Sequence, residues 1–590
     1  MSLELQNTPF IFGNPLAFIV SCVFVCLTIY LLFALTGKIF LSGLLASIVL
    51  LTFYTVNFYR QMQTGQVLLP IDLHFIKLAK GIAAFSDISV HWRPVCSILC
   101  AAVSHIPLFF ASKHIRVGVG KRTILFALSG LLIYLSFFTQ YSQDTILSGF
   151  TVNASAGMSY NDIYREQGAL LGFYAVGLAD GAEEPEGYSR AYMEALATKV
   201  AASASESDSD CDSEKPNVIV IMSEAYWDPT KLPHIAFSED PTPNLHRLSD
   251  KTTTGNVVPP SFGGMTCNTE FEFLTGNAMR FAGYGDVPYF ESDPYIDRDN
   301  KRSLVSMFKA NGYQTVALHT YSAAFFDRDQ HYPKLGFSSF IAAEDLPEAR
   351  TKGTLRGQEI ISDEYFCDVL IEIMENAVDP LFLFGITMQN HTPYLPDKYE
   401  NTHIQAESGA YLSEKDIEYI ETYLEGVNDA DKVLGRLYDY VMASDKPTIL
   451  LYFGDHLPLL TQHTGVYTDL GYISQAELED LSAEEAYKMY TTPYIAFCNY
   501  KTLPATWGDV SPYFLGAVLA DAAGIQKNLY YIFLTQAFER FQAMNQSLFI
   551  ADGELYSSPE EAEMTEMFAA FQYDKLFGER YVDDVMSQFP

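Results

Sequence analysis

The amino-acid sequence predicts a multi-pass α-helical membrane region followed by an α/β domain with a mostly parallel central sheet. Long apolar runs are confined to the first 140 of the 590 residues, and a helix of about 20 apolar residues can cross a membrane. After residue 215, short β-prone apolar runs alternate with helix-like segments, which is typical of a parallel sheet covered on both faces. The five runs predicted as strands are Val218–Met222, Thr315–His319, Leu381–Met388, Thr448–His456 and Tyr494–Cys498. We therefore divide the chain into a membrane region (1–140), a connector with a spacer (141–215) and an α/β domain (216–590).

Four apolar runs make up the predicted membrane region. The runs from Pro15 and Ile39 are long enough to span a membrane, and the runs from Pro94 and Thr123 need their flanking residues. No small-residue cleavage pattern follows a single short apolar core, so a cleaved signal peptide is a poor fit. The sequence therefore predicts four membrane helices.

Basic residues are concentrated in the short loop between the third and fourth predicted spans, where Lys113, Arg116, Lys121 and Arg122 lie. Loops rich in Lys and Arg stay on the cytoplasmic side of a membrane. This loop should therefore be cytoplasmic, and the chain after residue 140 should emerge on the opposite face. We expect a multi-pass protein of the cell membrane whose α/β domain is extracytoplasmic.

The segment that starts at Tyr59, between the second and third spans, mixes apolar residues with charges. It is predicted to form an interfacial amphipathic helix, with Lys77 and Lys80 near lipid head groups. The alternative is that Arg60 and Asp72 help to guide a lipid substrate.

The charge distribution limits the class of partner. The chain carries a net charge of −35, yet residues 1–139 hold nine Lys/Arg against three Asp/Glu, so the acidity lies in the rest of the chain. A nucleic-acid backbone needs a basic face, so nucleic acid is excluded as a partner.

Residues 201–214 are small and acidic and should form a flexible spacer. The eight cysteines show no CxxC or paired spacing, so no zinc-thiolate site or disulfide framework is predicted.

Polar residues follow the predicted strands at the points where the strands end. Glu224 comes after the run NVIVIMS, Asp455 and His456 end the run TILLYFGDH, and His391 follows a third run. In open α/β sheets, ligands bind at the carboxyl ends of the strands. The oxygen and nitrogen donors of these residues suit a divalent ion such as manganese, magnesium or zinc. Such an ion would lower the pKa of a bound hydroxyl and stabilise charge on a phosphate oxygen.

A candidate nucleophile lies in SFGGMTCNTEFEFLTG, where Gly263 and Gly264 permit close approach of the backbone just before Thr266. The Thr266 hydroxyl could attack phosphorus and form a covalent intermediate. Each of these patterns also has a structural explanation. A GDH triplet at a strand end is often part of a solvated loop, a threonine in a glycine-rich loop is often a hydrogen-bonding turn residue, and Glu224 could be a helix cap.

Five blocks, taken in order, resemble the lipoteichoic acid synthase family of the alkaline phosphatase and sulfatase superfamily. They are NVIVIMSEAYWD, FGGMTCNTEFEFLTG, FFDRDQHYPKLGF, TMQNHTPY and YFGDHLP, and they span most of residues 216–500. The LLPIDL stretch at Leu68 also resembles family members. The resemblance implies a sulfatase-like catalytic domain on a membrane anchor, and a phosphoglycerol transferase that uses a phospholipid donor and a glycolipid or glycan acceptor.

Carried over residue by residue, the resemblance implies that Glu224, Thr266, Asp455 and His456 bind one divalent metal ion, typically manganese. It also implies that Thr266 is the nucleophile. Magnesium and zinc remain alternatives for the ion.

Four further residues match substrate-binding positions of the family. Arg328 matches the arginine that holds the substrate phosphate, a role suited to its planar fork of donors. His391 matches a histidine in the same pocket, where it could donate to phosphate or shuttle a proton. His319 and Phe326 are additional candidates, and Phe326 keeps an aromatic face where some members have tryptophan.

The sequence departs from the family pattern in three places. The family usually has five membrane spans and four are predicted here, so one has been lost or the sequence starts late. Met265 stands where the best-known members have lysine, which bears on the substrate more than on the reaction class. Cys267 lacks the C/S-x-P-x-R context of formylglycine sulfatases, so sulfate ester hydrolysis is disfavoured. The other histidines, His331 and His463 among them, are predicted to be structural.

The predicted reaction is transfer of phosphoglycerol from phosphatidylglycerol to a glycolipid or cell-envelope polymer. The nearest enzymatic alternatives are a phosphoethanolamine transferase and another envelope phosphotransferase or phosphodiesterase. The alternative of a different class is a catalytically silent, membrane-tethered binding protein.

Overall fold

The chain folds into two compact units, Met1–Asp180 and Gly181–Pro590. The computed structural model describes residues 14–64, 67–73, 90–112, 117–139, 160–177, 182, 184–204, 215–283, 286–290, 292–296, 300–349, 353, 355, 360–378, 380–461, 465–476, 478, 481–557 and 562–590.

The first unit is helical. Its helices are α1 (Pro15–Thr36), α2 (Ile39–Thr64), α3 (Trp92–Ser112), α4 (Val119–Phe137), α5 (Tyr160–Gln167) and α6 (Ala169–Val176). The helices α1 to α4 are long and apolar enough to cross a membrane, and they expose many large apolar side chains, as helices that face lipid do. The four apolar helices predicted from the sequence are therefore confirmed as helices.

Arg60, near the end of α2, contacts Asp72 in the segment that follows the helix. The Nε atom of Arg60 lies 3.1 Å from Oδ2 of Asp72 and 2.9 Å from the carbonyl oxygen of Val67. The same Asp72 oxygen accepts the backbone N–H of Leu69 at 2.7 Å. This arrangement favours a role in fixing the turn after α2 over a role in guiding a lipid.

Several sequence predictions fall outside the described residues. Lys77 and Lys80 of the expected amphipathic helix do, as do Lys113 and Arg116 of the basic loop and residues 205–214 of the acidic spacer. Residues 201–204, which were predicted to belong to the flexible spacer, instead form the last turn of the helix Arg190–Ala204. The start of the expected amphipathic helix, up to Thr64, belongs to α2.

The second unit is built on an eight-stranded sheet. The strands of this unit are β1 (Asn217–Ser223), β2 (Ala236–Phe237), β3 (Thr253–Val257), β4 (Gln314–His319), β5 (Ser339–Ile341), β6 (Leu381–Ile386), β7 (Ala406–Glu407), β8 (Thr448–Gly454), β9 (Thr492–Cys498), β10 (Gly508–Val510), β11 (Ala543–Met544), β12 (Phe549–Ala551) and β13 (Glu554–Tyr556). The order in the large sheet is β10-β3-β9-β8-β1-β6-β4-β5. Only β9 runs against the others, so the predicted, mostly parallel sheet is confirmed.

Helices cover both faces of this sheet. Those of the second unit are α7 (Arg190–Ala204), α8 (Pro243–Ser249), α9 (Thr266–Thr275), α10 (Ser292–Tyr295), α11 (Leu304–Ala310), α12 (Arg328–Leu335), α13 (Asp363–Asn376), α14 (Glu414–Ala443), α15 (Gly465–Asp469), α16 (Ala483–Met489), α17 (Pro512–Ala523), α18 (Leu529–Phe538), α19 (Ala562–Leu576) and α20 (Asp583–Met586). Leu381 and Leu383 of β6 pack with α13 and α14 in one core. The alternate residues Phe382 and Phe384 stack on Phe308 of α11 and Phe273 of α9, because successive strand side chains point to opposite faces.

Candidate active site

Four adjacent strands, in the order β8, β1, β6 and β4, deliver the candidate residues at their carboxyl ends. Glu224 follows β1, and Asp455 and His456 follow β8. His319 is the last residue of β4, and His391 lies in the loop after β6. The parallel sheet therefore gathers at one edge residues that are more than 200 positions apart in the chain.

Glu224, Asp455 and His456 form a buried trio whose ligand atoms lie within 4.8 Å of one another. Nε2 of His456 is 3.6 Å from Oε1 of Glu224 and 3.3 Å from Oδ2 of Asp455. The other ring nitrogen, Nδ1, lies 2.9 Å from the carbonyl oxygen of Leu457, so Nδ1 is the donor and, in the neutral imidazole, Nε2 presents the lone pair.

This donor set fits a divalent cation. Nε2 of His456 and Oδ2 of Asp455 are buried and have no hydrogen-bond partner among the described residues. The lone pair of Nε2 and the two carboxylates repel one another unless a positive charge lies between them. Burial, and then the charge of Asp455, raise the pKa of Glu224 well above its usual range, which is the expected state of such a site without its cation.

Backbone contacts fix the trio. Oδ1 of Asp455 accepts the N–H of Ala225 at 2.8 Å and the N–H of His456 at 2.9 Å. A Cβ atom on Gly454 would lie 2.0 Å from the carbonyl oxygen of Tyr226. The GDH sequence therefore needs its glycine, because only glycine lets β8 come this close to the turn after β1.

Thr266 is the first residue of α9 and lies beside the trio. Its hydroxyl donates to Oε2 of Glu224 at 3.3 Å. Gly263 and Met265 take left-handed conformations, with φ of 67° and 63°, and so turn the chain into the helix just before Thr266. The hydroxyl of Thr269 donates to the carbonyl oxygen of Asp455 at 2.9 Å, which holds the N-terminus of α9, a favourable position for an anion, against β8.

Arg328 is almost fully engaged by protein groups. Its Nε and Nη2 donate to Oε2 of Glu270 at 3.0 and 2.9 Å, and its Nη1 donates to Nε2 of His319 and to the carbonyl oxygen of Phe325, both at 3.2 Å. These contacts use four of the five N–H groups of the guanidinium. Arg328 and Glu270 are both fully buried, so Glu270 also offsets the positive charge.

Phe326 and Tyr289 support this ion pair. The guanidinium of Arg328 lies 5.2 Å from the centroid of the Phe326 ring, within cation–π distance, and Phe326 has a left-handed φ of 57°. The hydroxyl of Tyr289 donates to Oε1 of Glu270 at 2.7 Å. The ring of Phe326 therefore lies against the guanidinium of Arg328, and its role as a substrate-binding residue stays a prediction.

Both candidate histidines favour the neutral form, in which one ring nitrogen accepts a hydrogen bond. Burial, and then Arg328, lower the pKa of His319 well below its usual range, and its Nδ1 lies 3.3 Å from the carbonyl oxygen of Ile386. Burial lowers the pKa of His391 to about 4. Its Nδ1 lies 2.5 Å from the carbonyl oxygen of Thr392, so the tautomer leaves Nε2 as the proton-accepting nitrogen.

The structure brings together Glu224, Thr266, Asp455 and His456, and separately Arg328, His319 and Phe326. It also adds Glu270, which the sequence analysis did not propose as a site residue. Glu270 is one helical turn after Thr266 in the same helix, and an acid at that spacing from a candidate nucleophile is a sequence signal that could have been used.

A second addition is Lys398, which is buried and whose Nζ donates to the carbonyl oxygen of His391 at 2.6 Å. His331, expected to be structural, is buried with Nε2 2.8 Å from the carbonyl oxygen of Tyr289. His463 lies outside the described residues.

Residues 216–525 match the sequence model of the sulfatase family, which is more than half of the chain. A protein of Rhizobium meliloti (strain 1021) named for cyclic beta-1,2-glucan modification is 33% identical over 373 residues, 62% of this chain and 56% of that protein. Lipoteichoic acid synthase 2 of Bacillus subtilis (strain 168) is 20% identical over 232 residues, 38% of this chain and 32% of that protein.

Among solved structures, the chain is similar to the Streptococcus pyogenes phosphoglycerol transferase GacH in complex with sn-glycerol-1-phosphate. The TM-score is 0.58 at 23% identity, and the match covers 70% of this chain and 100% of that chain. This likeness concerns the fold. The matched region spans about half or less of the length of the two curated relatives.

Proposed function

The chain belongs to the sulfatase family, and on that premise we propose that it is a membrane-anchored, metal-dependent phosphotransferase. One observation carries the proposal: the hydroxyl of Thr266 reaches the carboxylate of Glu224 inside the buried trio with Asp455 and His456. A silent binding protein would have no need to keep two buried carboxylates, an imidazole lone pair and a hydroxyl facing one another, since such an arrangement is costly without a ligand.

Glu224, Asp455 and His456, with the hydroxyl of Thr266, would hold one divalent ion, for which we propose manganese, with magnesium and zinc as alternatives. When bound, the ion would make the hydroxyl more acidic and stabilise negative charge on a phosphate oxygen.

The reaction proceeds in two steps on Thr266. In the first, the threonine oxygen forms a bond to phosphorus, the bond from phosphorus to the lipid alcohol breaks, and the threonine proton passes to the departing alcohol. In the second, an acceptor hydroxyl attacks the phosphothreonine, its proton is taken up, and the threonine oxygen leaves with a proton. His391 is the proposed carrier of these protons, because its Nε2 is the accepting nitrogen.

Arg328 contributes one N–H and a partly offset positive charge to the phosphate in this proposal. His319 orients the guanidinium through the contact with Nη1, and Phe326 supports it through its ring face. These two residues therefore shape the phosphate pocket by holding the arginine.

The proposed donor is phosphatidylglycerol and the proposed acceptor a glycolipid or cell-envelope polymer. The four apolar helices would hold the site beside its lipid donor and raise the donor's effective concentration. The relatives named for lipoteichoic acid synthesis and for cyclic glucan modification support a saccharide-linked acceptor.

Turnover of a panel of fluorescent phospholipids by the purified full-length protein tests this function. We expect release of fluorescent diacylglycerol from phosphatidylglycerol, and a mass increase of one phosphoglycerol group on the peptide that carries Thr266. Preference for phosphatidylethanolamine, with the corresponding adduct, would point instead to a phosphoethanolamine transferase. No turnover of any phospholipid, and no adduct, would contradict a phosphotransferase.

The proposed orientation gives a separate prediction. If the basic loop of residues 113–122 is cytoplasmic, protease added to intact protoplasts or spheroplasts should release a soluble fragment that begins near residues 201–214. Protection of that fragment until the membrane is permeabilised would show that the α/β domain faces the cytoplasm. A cytoplasmic protein measured in the same samples controls for lysis.

A further inference from the structure

Lys398 is a buried cation in the loop that carries His391. Lys398 is only 4% exposed, although lysine is rarely buried without a partner. The direct partner of its ammonium is a backbone carbonyl, that of His391 at 2.6 Å, seven positions earlier in the chain. The ammonium also lies 5.4 and 6.0 Å from the ring centroids of Tyr394 and Tyr399. Burial lowers the pKa of Lys398 to about 7.

The hydrogen bond from Lys398 ties the loop back to His391, the residue whose imidazole must be oriented in the proposed reaction. The carbonyl of His391 is held by the ammonium, and the next carbonyl, that of Thr392, is held by Nδ1 of the His391 ring. These two bonds together fix the backbone and the ring plane, and so the direction of Nε2.

The other side of His391 is fixed by Gln389. Its side-chain oxygen accepts the N–H of Asp363 at 2.6 Å, and its side-chain nitrogen donates to Asp429 at 2.8 Å. The loop is therefore anchored two residues before His391 by the side-chain amide of Gln389 and seven residues after it by Lys398.

The charge of Lys398 also bears on the site. Burying an ammonium group costs free energy. A neutral donor would be enough if the group had only to hydrogen-bond to a carbonyl oxygen. Glu224 and Asp363 both oppose the fall of the Lys398 pKa, as nearby carboxyl groups do, which accounts for a charge at this position.

We propose that Lys398 is a positioning residue of the phosphotransfer reaction, which holds the His391 loop so that Nε2 of the imidazole faces the reacting phosphate and acceptor hydroxyl. This inference rests on the proposed function, in which His391 carries the proton. Lys398 acts through His391 and does not itself contact the substrate.

The test uses the full-length protein, fluorescent phosphatidylglycerol and four variants. Lys398→Met keeps the length of the side chain but removes the charge and the donor, and Lys398→Arg restores both in part. Lys446→Met is the matched control, because Nζ of Lys446 also ties a loop through three backbone carbonyls but precedes β8, at the opposite edge of the sheet. His391→Gln removes the proton acceptor.

We expect Lys398→Met to lower kcat by roughly 100-fold, as a small misplacement of a reacting group does, with KM for the lipid within a few-fold of the wild type. Lys398→Arg should recover part of the rate, and Lys446→Met should leave it unchanged. In the His391→Gln background, adding Lys398→Met should lower kcat little further, because the effects of substituting two residues that act as a unit are not additive.

Hydrogen exchange of residues 387–399, followed by mass spectrometry, is the readout that needs no turnover. It should rise in Lys398→Met and stay unchanged in Lys446→Met. Unchanged exchange, an unchanged kcat, or a full additional loss in the His391→Gln background would each overturn the positioning role. If the wild type turns over no lipid, the proposed function fails, while the exchange result still decides whether Lys398 holds the loop.

Discussion

Thr266→Ala is expected to abolish transfer, with a fall in kcat on the order of 10³–10⁶-fold, as when the nucleophile of a covalent mechanism is removed. The substitution deletes the hydroxyl that lies 3.3 Å from Glu224 and leaves Glu224, Asp455 and His456 in place. The variant should therefore remain folded, bind the metal ion somewhat less tightly, and form no adduct. The measurements are single-turnover kinetics with fluorescent phosphatidylglycerol and the mass of the Thr266 peptide.

Thr275→Ala is the matched control for this variant. It removes a buried threonine hydroxyl from the last residue of the same helix, where it donates to the carbonyl oxygen of Phe271, and should leave the rate unchanged. Thr266→Ser should keep partial activity, because the hydroxyl remains but its rotamer is less restricted. A mechanism in which water attacks directly predicts hydrolysis without transfer in Thr266→Ala. Near-normal transfer by a folded Thr266→Ala protein would rule out the proposed mechanism.

The sheet could be predicted from the sequence because its strands are short, continuous apolar runs. The five runs taken as strands form β1, β4, β6, β8 and β9. Nothing in the run YIAFC marks β9 as the one reversed strand, because a strand buried on both faces reads the same in either direction. The short strands β3 and β10 are polar or contain glycine (TTGNV and GDV), so apolar patterning does not reveal them.

The core of the site could be predicted because a parallel sheet brings strand ends together. Glu224, Asp455 and His456 each follow a strand directly, and adjacency of β1 and β8 puts them within 4.8 Å. Their role as metal ligands stays a prediction, as does the role of Thr266 as the nucleophile.

The surroundings of the site could not be predicted in the same way. Glu270, His319 and the carbonyl of Phe325 together accept four N–H groups of Arg328, an arrangement that depends on side-chain directions across α9 and α12. Lys398 looks like a solvated loop residue in the segment LPDKYE, and its burial depends on how the chain folds back onto His391. Such contacts arise from loop geometry, for which the sequence carries no periodic signal.

Removing one ligand of the proposed metal centre is the second change with a large expected effect. Asp455→Asn keeps the oxygen that accepts the N–H groups of Ala225 and His456 but removes the charge that faces Nε2 of His456. We expect the affinity for Mn²⁺ to fall by more than the ~10–100-fold that loss of a supporting group costs. His456→Ala should weaken binding similarly, because it removes the nitrogen donor. Titration calorimetry of the metal-free protein with Mn²⁺ measures both.

Thermal unfolding gives an independent readout that requires no substrate. Free Mn²⁺ at 100 times its Kd should stabilise the wild type by about 2.7 kcal/mol, and this gain should disappear in Asp455→Asn and His456→Ala at the same concentration. Asp431→Asn is the matched control: Asp431 is a buried carboxylate of α14 that accepts hydrogen bonds from Tyr226 and Asn244, away from the trio. It should lower Tm yet keep the Mn²⁺-induced rise, because it changes a buried acid without removing a ligand. A full Mn²⁺ response in both ligand variants would exclude Asp455 and His456 from the metal site, and the hydroxyl of Thr266 would then lack the cation that the proposed reaction requires.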